Sequence, residues 1–230
     1  MSEKKDCMCH QIGPGIFPPD DPDGSKARAA FSQNPLFKSE PCFVGLDLSL
    51  TGTGFCLKMG NSITIETVST KPKDFDNNLD RLIHIRDTLL SKIPMSVKMI
   101  CVEDFFTPSN SMQIGSAIKL AMLGTVIRIA LYEKGLPFVI IAPSQLKKFV
   151  TGKGSGDKSM ILREVYKRWG INALDDNQAD AVVLAYTAEA LVGTFTDDTP
   201  KFQVDVVKTI RQDRPNYNVK EDWAVTTIQD

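Results

Sequence analysis

Cys42-Phe43-Val44-Gly45-Leu46-Asp47-Leu48-Ser49 is a short apolar run with one carboxylate inside it, and it reads as a buried β-strand. Asp47 is the anomaly. An ionised carboxylate taken out of water is strongly destabilising unless a cation or hydrogen-bond donors meet it, and a metal ion is the strongest candidate for that partner. A structural use is also open: an Asp that caps the turn-rich stretch Leu50-Thr51-Gly52-Thr53-Gly54.

On the N-terminal side of this strand, residues 1–40 hold Gly13-Pro14-Gly15, Pro18-Pro19 and Asp20-Asp21-Pro22-Asp23-Gly24 and show no sustained periodicity. They are expected to form a flexible arm. On its C-terminal side, two further strands are expected at Gly54–Met59 and Ser62–Thr70, joined by a tight turn at Gly60-Asn61. Asn78–Ile93 then has helical spacing in Leu79, Leu82, Ile83, Leu89 and Leu90. Lys98–Phe106 is a second apolar strand ending in acid, and its Glu103 is comparable to Asp47. A long helix from about Met112 to Lys134 is apolar over more than one face, and its Gly115, Ser116, Ala121 and Gly124 permit close approach of another helix, in the core or in a second subunit. The continuous run Phe138-Val139-Ile140-Ile141 reads as a strand covered on both faces. Helices follow at Ser144–Val150, at Lys158–Trp169 with Asp157 as N-cap, and at Asp176–Leu191. This order predicts a mixed five-stranded α/β sheet flanked by helices over residues 41–192, with 193–230 as a polar C-terminal tail.

With 230 residues, 42% of them hydrophobic, the chain suits one core plus extensions. No run approaches the roughly 18 apolar residues of a membrane span. Met1-Ser2-Glu3-Lys4-Lys5-Asp6 leads into no apolar secretory segment, so a cytoplasmic protein is expected, in the host cytoplasm if viral, with no membrane partner. The five cysteines are odd in number, and Cys42, Cys56 and Cys101 lie within predicted strands, which suits reduced core residues. Cys7, Cys9 and His10 lack the distant matching pair of a zinc site.

The net charge of −1 is uninformative, but its distribution is not. Residues 141–170 carry seven basic residues against two acidic ones, whereas residues 171–198 carry six acidic residues and neither Lys nor Arg. Such a pairing suits a protein that grips phosphates with one element and holds divalent cations with the next; two solvated faces of opposite sign are the plain alternative. Asp176, Asn177 and Asp180 can share one face of the last helix, whose N-terminal dipole by itself accounts for acids at 175 and 176. One acid on a strand, one at the end of a neighbouring strand and one or two on a helix can assemble two divalent ions about 3.5–4 Å apart for phosphodiester cleavage.

The order Val44-Gly45-Leu46-Asp47-Leu48-Ser49, Val102-Glu103-Asp104, Ala142-Pro143-Ser144-Gln145-Leu146-Lys147-Lys148 with Thr151-Gly152-Lys153-Gly154, and Gln178-Ala179-Asp180-Ala181 resembles the RuvC-type Holliday junction resolvases of the RNase H-like superfamily, in a bacteriophage-like variant. The resemblance covers about residues 42–192. It implies an RNase H-like fold and a homodimer that nicks two opposing strands of a four-way DNA junction, with two Mg²⁺ ions per site, Mn²⁺ substituting. It makes Asp47, Glu103 and Asp180 metal ligands. The family's fourth ligand falls on Asn177; Asp176, one residue earlier, is favoured as the carboxylate that a hard cation prefers. Lys158 matches a lysine near the scissile phosphate, and Lys147 one that aids DNA binding or stabilises charge. Lys148 and Lys153 join them as candidate DNA contacts, and Phe105 and Phe106 are candidate wedges at the junction centre, with core packing as the alternative.

Three rival functions remain at this level. A nuclease of the same fold could act on other branched DNA or RNA, because phosphate contacts carry little structural information. A junction-binding module with a weakened metal site is supported by Asn177. An actin-like ATPase shares the glycine pattern of Asp47–Gly54, but the sequence has no second glycine-rich phosphate loop and is short for two lobes.

Overall fold

Period-two alternation along Cys42–Asp47 sends Cys42, Val44 and Leu46 into one half of the core and Phe43, with Gly45 and Asp47, toward the other. The computed structural model describes residues 40–105, 111–155, 157–193 and 195–212, with the side chains of 111–113 left aside. In it, β1 (Cys42–Asp47), β2 (Gly52–Met59) and β3 (Ser62–Ser69) form an antiparallel meander, with Gly60 at a φ of +51° in the predicted turn. Helix α1 (Asn78–Lys92) follows, its first turn capped by the Asn77 side chain accepting from the Asp80 amide. Next come β4 (Met99–Glu103), α2 (Ser111–Glu133), β5 (Phe138–Ile141), α3 (Pro143–Thr151), α4 (Lys158–Trp169), α5 (Asp176–Val192) and α6 (Lys201–Gln212).

The sheet order is β3-β2-β1-β4-β5, with β1, β4 and β5 parallel. This is the mixed five-stranded α/β sheet that the sequence predicts. One face is covered by Leu82, Ile85 and Leu89 of α1 and by Leu123, Ile127 and Leu131 of α2; the other packs against α3, α4, α5 and α6. Leu79 and Ile83, part of the predicted apolar stripe of α1, are exposed.

Two expectations need correction. The segment read as a polar tail contains α6, whose Val206, Val207 and Ile210 are buried; with Phe202 they recur at i, i+4, i+5 and i+8, which is the sequence signal of this amphipathic helix. Helix α2 is, by length and composition, apolar enough to cross a membrane, although no unbroken apolar run of that length exists. Lys119 and Arg128 divide its apolar residues in sequence, and the helix gathers them in space. Cys42, Cys56 and Cys101 are buried free thiols, as expected. The arm at 1–39, with Cys7, Cys9 and His10, lies outside the described residues, as do Phe106 and residues 213–230.

Candidate active site

The alternation that buries Phe43 and Met99 also aims Asp47 and Glu103 toward α5, and Leu46 pairs with Val102, so the two acids end neighbouring parallel strands. Asp180 descends onto them from α5. The helix can come that close only because the strands beneath it lack side chains at two points. A Cβ on Gly45 would lie 2.0 Å from the Ala181 carbonyl oxygen and 2.5 Å from the Ala185 amide nitrogen; one on Gly54 would lie 2.1 Å from the Asn177 carbonyl oxygen. Ala181, Ala185 and Ala188 complete the contact from the helix side. The result is a trio of carboxylates, Asp47, Glu103 and Asp180, whose ligand atoms all lie within 4.8 Å of one another.

Burial dominates the electrostatics of the trio. It pushes Asp47 up to about 10, reinforced by the hydrogen bond with Glu103 and by the charges of Glu103, Asp180 and Asp176. Asp180 is raised to about 7, again first by burial and then by the charges of Glu103 and Asp176, partly offset by Lys158 and Lys147. Glu103 is raised by burial and held back by its hydrogen bond to Asp47 and by Lys147. Burial and mutual repulsion oppose ionising all three acids together, and a bound cation would remove that opposition. Asp180 Oδ1 is buried and has no hydrogen-bond partner, an orphaned acceptor on one of the three clustered acids. An all-oxygen set of this kind fits a hard divalent cation.

Neither candidate for the fourth position belongs to the trio. Asn177 turns to β2, its Nδ2 donating to the Gly52 carbonyl oxygen at 2.8 Å. Asp176 is not one of the three acids within 4.8 Å, although its charge reaches Asp47 and Asp180; its carboxylate accepts from Lys158 Nζ, an ion pair that lowers its pKa and raises that of the lysine. One residue of helix rotation thus separates a side chain tied to β2 from a half-buried acid paired with a lysine.

Residues 43–188 match the family described as crossover junction endodeoxyribonuclease RuvC. The chain belongs to the RuvC family. Among relatives of that name, the Rhodococcus jostii protein is 29% identical over 151 residues, covering 62% of this chain and 77% of its own length. The Treponema denticola protein is 27% identical over 168 residues, covering 70% and 90%. Two solved Thermus thermophilus RuvC structures share the fold. One has a TM-score of 0.50 at 22% identity, covering 63% of this chain and 90% of its own. The other, in complex with a Holliday junction substrate, has a TM-score of 0.50 at 19% identity, covering 64% and 90%.

Of the basic residues, Lys147 and Lys158 act on the acids of this RuvC-family chain. Lys147 is half-buried on α3 and acts on both Glu103 and Asp180; Lys148, Lys153 and Lys158 are exposed. Lys158 begins α4, whose N-cap is Asp157, its carboxylate accepting from the Met160 amide at 2.8 Å. Phe105 is half-buried; it faces Gly124 and lies under the Arg128 guanidinium, 5.6 Å from its ring. It also lines a cavity of about 190 Å³ shared with Asp47, Glu103, Asp104, Leu120 and Gly124.

Two arginines near the site go unnoticed in the sequence. Arg128 Nη2 donates to Asp104 Oδ1 at 2.7 Å, fixing the residue next to Glu103 to α2. Its signal is that it is one of two basic residues, with Lys119, in a largely apolar helix. Arg81, buried on α1, donates to the Leu50 carbonyl oxygen at 2.6 Å and to Thr70 Oγ1 at 2.8 Å, pinning the loop that follows Asp47. Nothing local marks it, because its partners lie on other elements.

Proposed function

We propose that this chain is a divalent-metal-dependent endonuclease that resolves four-way DNA junctions. The observation that carries this reading is the trio Asp47, Glu103 and Asp180, converging within 4.8 Å in a chain of the RuvC family. Relatives named as crossover junction endonucleases, and a family structure in complex with a Holliday junction, support the choice of substrate.

Asp47, Glu103 and Asp180 would hold Mg²⁺, or Mn²⁺ in its place, as two ions with Asp176 completing the set. Bound there, the cations supply an acidified water and neutralisation of charge on the leaving 3′ oxygen. The chain's own residues supply the rest. Asp180 Oδ1 keeps a free acceptor, and Lys147 reduces the mutual repulsion of the acids. Lys158, the ion-pair partner of Asp176, would be free to contact the phosphate if that carboxylate held a cation. The products are 5′-phosphate and 3′-hydroxyl ends.

A homodimer would place two such sites on one junction for paired nicks. On α2, Ile114, Ile118, Met122 and Ile129 are exposed, and their spacing puts them on one side of the helix, an apolar stripe of the kind that marks an interface. Gly115 faces open space on the same helix, leaving room for a partner.

The ion pair between Lys158 and Asp176, with Asn177 turned to Gly52, favours one second reading: a junction-binding protein with weakened catalysis. Incubation with a synthetic four-way junction, a linear duplex and a splayed fork, with and without Mg²⁺, separates the two. Metal-dependent paired nicks confined to the junction support the nuclease. Tight junction binding with no cleavage in Mg²⁺ or Mn²⁺ supports the weakened module, and equal cleavage of the fork moves the substrate to other branched nucleic acids.

A further inference from the structure

The last turn of an α-helix leaves four carbonyl oxygens without intrahelical partners. At the end of α3, three of the carbonyls in its last turn and a half are met by three different devices. Lys148 O accepts from the Gly152 amide at 2.9 Å, with Gly152 in the left-handed conformation at φ +80°. Phe149 O accepts from Nε2 of Gln203, on α6, at 3.0 Å. Val150 O accepts from Nε of Arg168, at the end of α4, at 2.7 Å.

The three devices are linked. Arg168 lies over the ring of Phe202, 5.1 Å from its centroid. The same ring closes over the glycine turn: a Cβ on Gly152 would meet Phe202 at 3.5 Å. Past that turn, the Lys153 amide donates to Thr151 Oγ1 at 3.1 Å, so the lysine's backbone is folded back on the end of α3. Helix α6 is itself anchored by Val206, Val207 and Ile210 in the core, and by Arg211 donating to the Leu191 carbonyl oxygen at 2.8 Å. It lies beyond the residues 43–188 that match the family.

We propose that Phe202 and Gln203 of α6 are positioning residues for DNA binding: through the Gly152 turn and the carbonyl end of α3 they hold Lys148 and Lys153 in a fixed array for the phosphates of a junction arm. The proposal rests on the reading of this chain as a junction endonuclease. An array already ordered in the free protein loses less conformational freedom on binding, so the brace acts on affinity and leaves the acids untouched.

The test uses the full-length chain and a synthetic four-way junction, comparing wild type with Phe202→Ala, Gln203→Leu, Lys153→Ala and Val207→Ala. Junction Kd against salt, single-turnover cleavage at saturating protein and Tm are read for each. Phe202→Ala and Gln203→Leu are expected to weaken binding about tenfold through lost pre-organisation while the cleavage rate of the bound junction stays within about twofold. Phe202→Ala also lowers the salt slope by about 1, as Lys153→Ala does, although it removes no charge. Combining Phe202→Ala with Lys153→Ala gives less than the sum of the two effects, and Phe202→Tyr restores binding. Val207→Ala lowers Tm without moving Kd.

A Phe202→Ala protein with wild-type Kd and salt slope overturns the brace, as does a Lys153→Ala protein with wild-type Kd. A wild-type chain that ignores the junction overturns the functional reading beneath it.

Discussion

Asp47, Glu103 and Asp180 stand at the ends of two paired strands and on the helix laid across them, largely withdrawn from water, while Lys148, Lys153 and Lys158 stand on a helix end, a loop and a helix start that face solvent. The acids are placed by backbone against backbone: Gly45 and Gly54 let α5 touch the sheet, and no side-chain adjustment can replace that spacing. The lysines are placed by caps, turns and side-chain ties, from Asp157, Thr151, Arg168 and Gln203. A site built in the first way fails as a unit; one built in the second loses its contacts singly.

The sharpest way to break this contrast is Gly45→Ala, a single methyl that adds and removes no charge. Its carbon must displace the α5 backbone, and a shift of about 1 Å is expected to lower single-turnover junction cleavage a hundredfold or more. Overpacking should also destabilise the fold by about 1–3 kcal/mol, read as a fall in Tm. Wild-type cleavage in Gly45→Ala would show that the acids do not depend on the helix–sheet contact.

The electrostatic side of the contrast is sharpened by removing an acid without metal present. In the metal-free protein Asp180 titrates near 7 in place of 3.8, so between those values the folded state binds more protons than the unfolded one. Stability therefore falls as pH rises through that window. Asp180→Asn should remove the loss: a Tm higher by roughly 4 °C at pH 8, where each kcal/mol is about 2–4 °C in a chain of this size, and no gain near pH 4. Wild-type protein should regain that stability on addition of Mg²⁺, and the variant far less. Equal Tm values at both pH values would mean that the acids do not strain the fold.

For the lysines, Lys158→Ala should lower cleavage about tenfold, the worth of one charge-assisted hydrogen bond, with little change in Tm because the side chain is exposed. A loss comparable to that of Gly45→Ala would move Lys158 into the interdependent half of the site. The smallest effect is expected from Asn177→Ala, which removes the bond to Gly52 and should cost about 1 kcal/mol of stability. Its Mg²⁺ dependence of cleavage should match that of wild type; a shift to higher Mg²⁺ would make Asn177 a ligand after all.

The sequence reveals the site where the signal is local. A carboxylate inside Cys42–Asp47, another at the end of Met99–Glu103 and a third among the alanines of α5 are each visible as an acid in apolar or small-residue company, and the alternation of the strands places two of them on one face. The choice between Asp176 and Asn177 is not local. It depends on Gly52, 125 residues away in sequence, offering a carbonyl oxygen to one side chain, while Lys158 claims the other. Helix α6 is legible as well: Phe202, Val206, Val207 and Ile210 recur at helical spacing, and only the polar composition of residues 193–230 taken as a whole obscures the stripe. Arg81 and Arg128 are missed because their partners belong to other elements.

The central claim is that the buried carboxylates, loaded with a divalent cation, cut the junction that the lysines hold. Its most direct measurement is cleavage and binding of one four-way junction by wild type and Asp47→Asn, with and without Mg²⁺. Metal-dependent paired nicks by wild type are predicted, with cleavage by Asp47→Asn lost by about a thousandfold or more while its junction binding is kept or tightened, as removal of negative charge near phosphate requires. Cleavage that persists in a folded Asp47→Asn protein, or that needs no metal, would contradict the account.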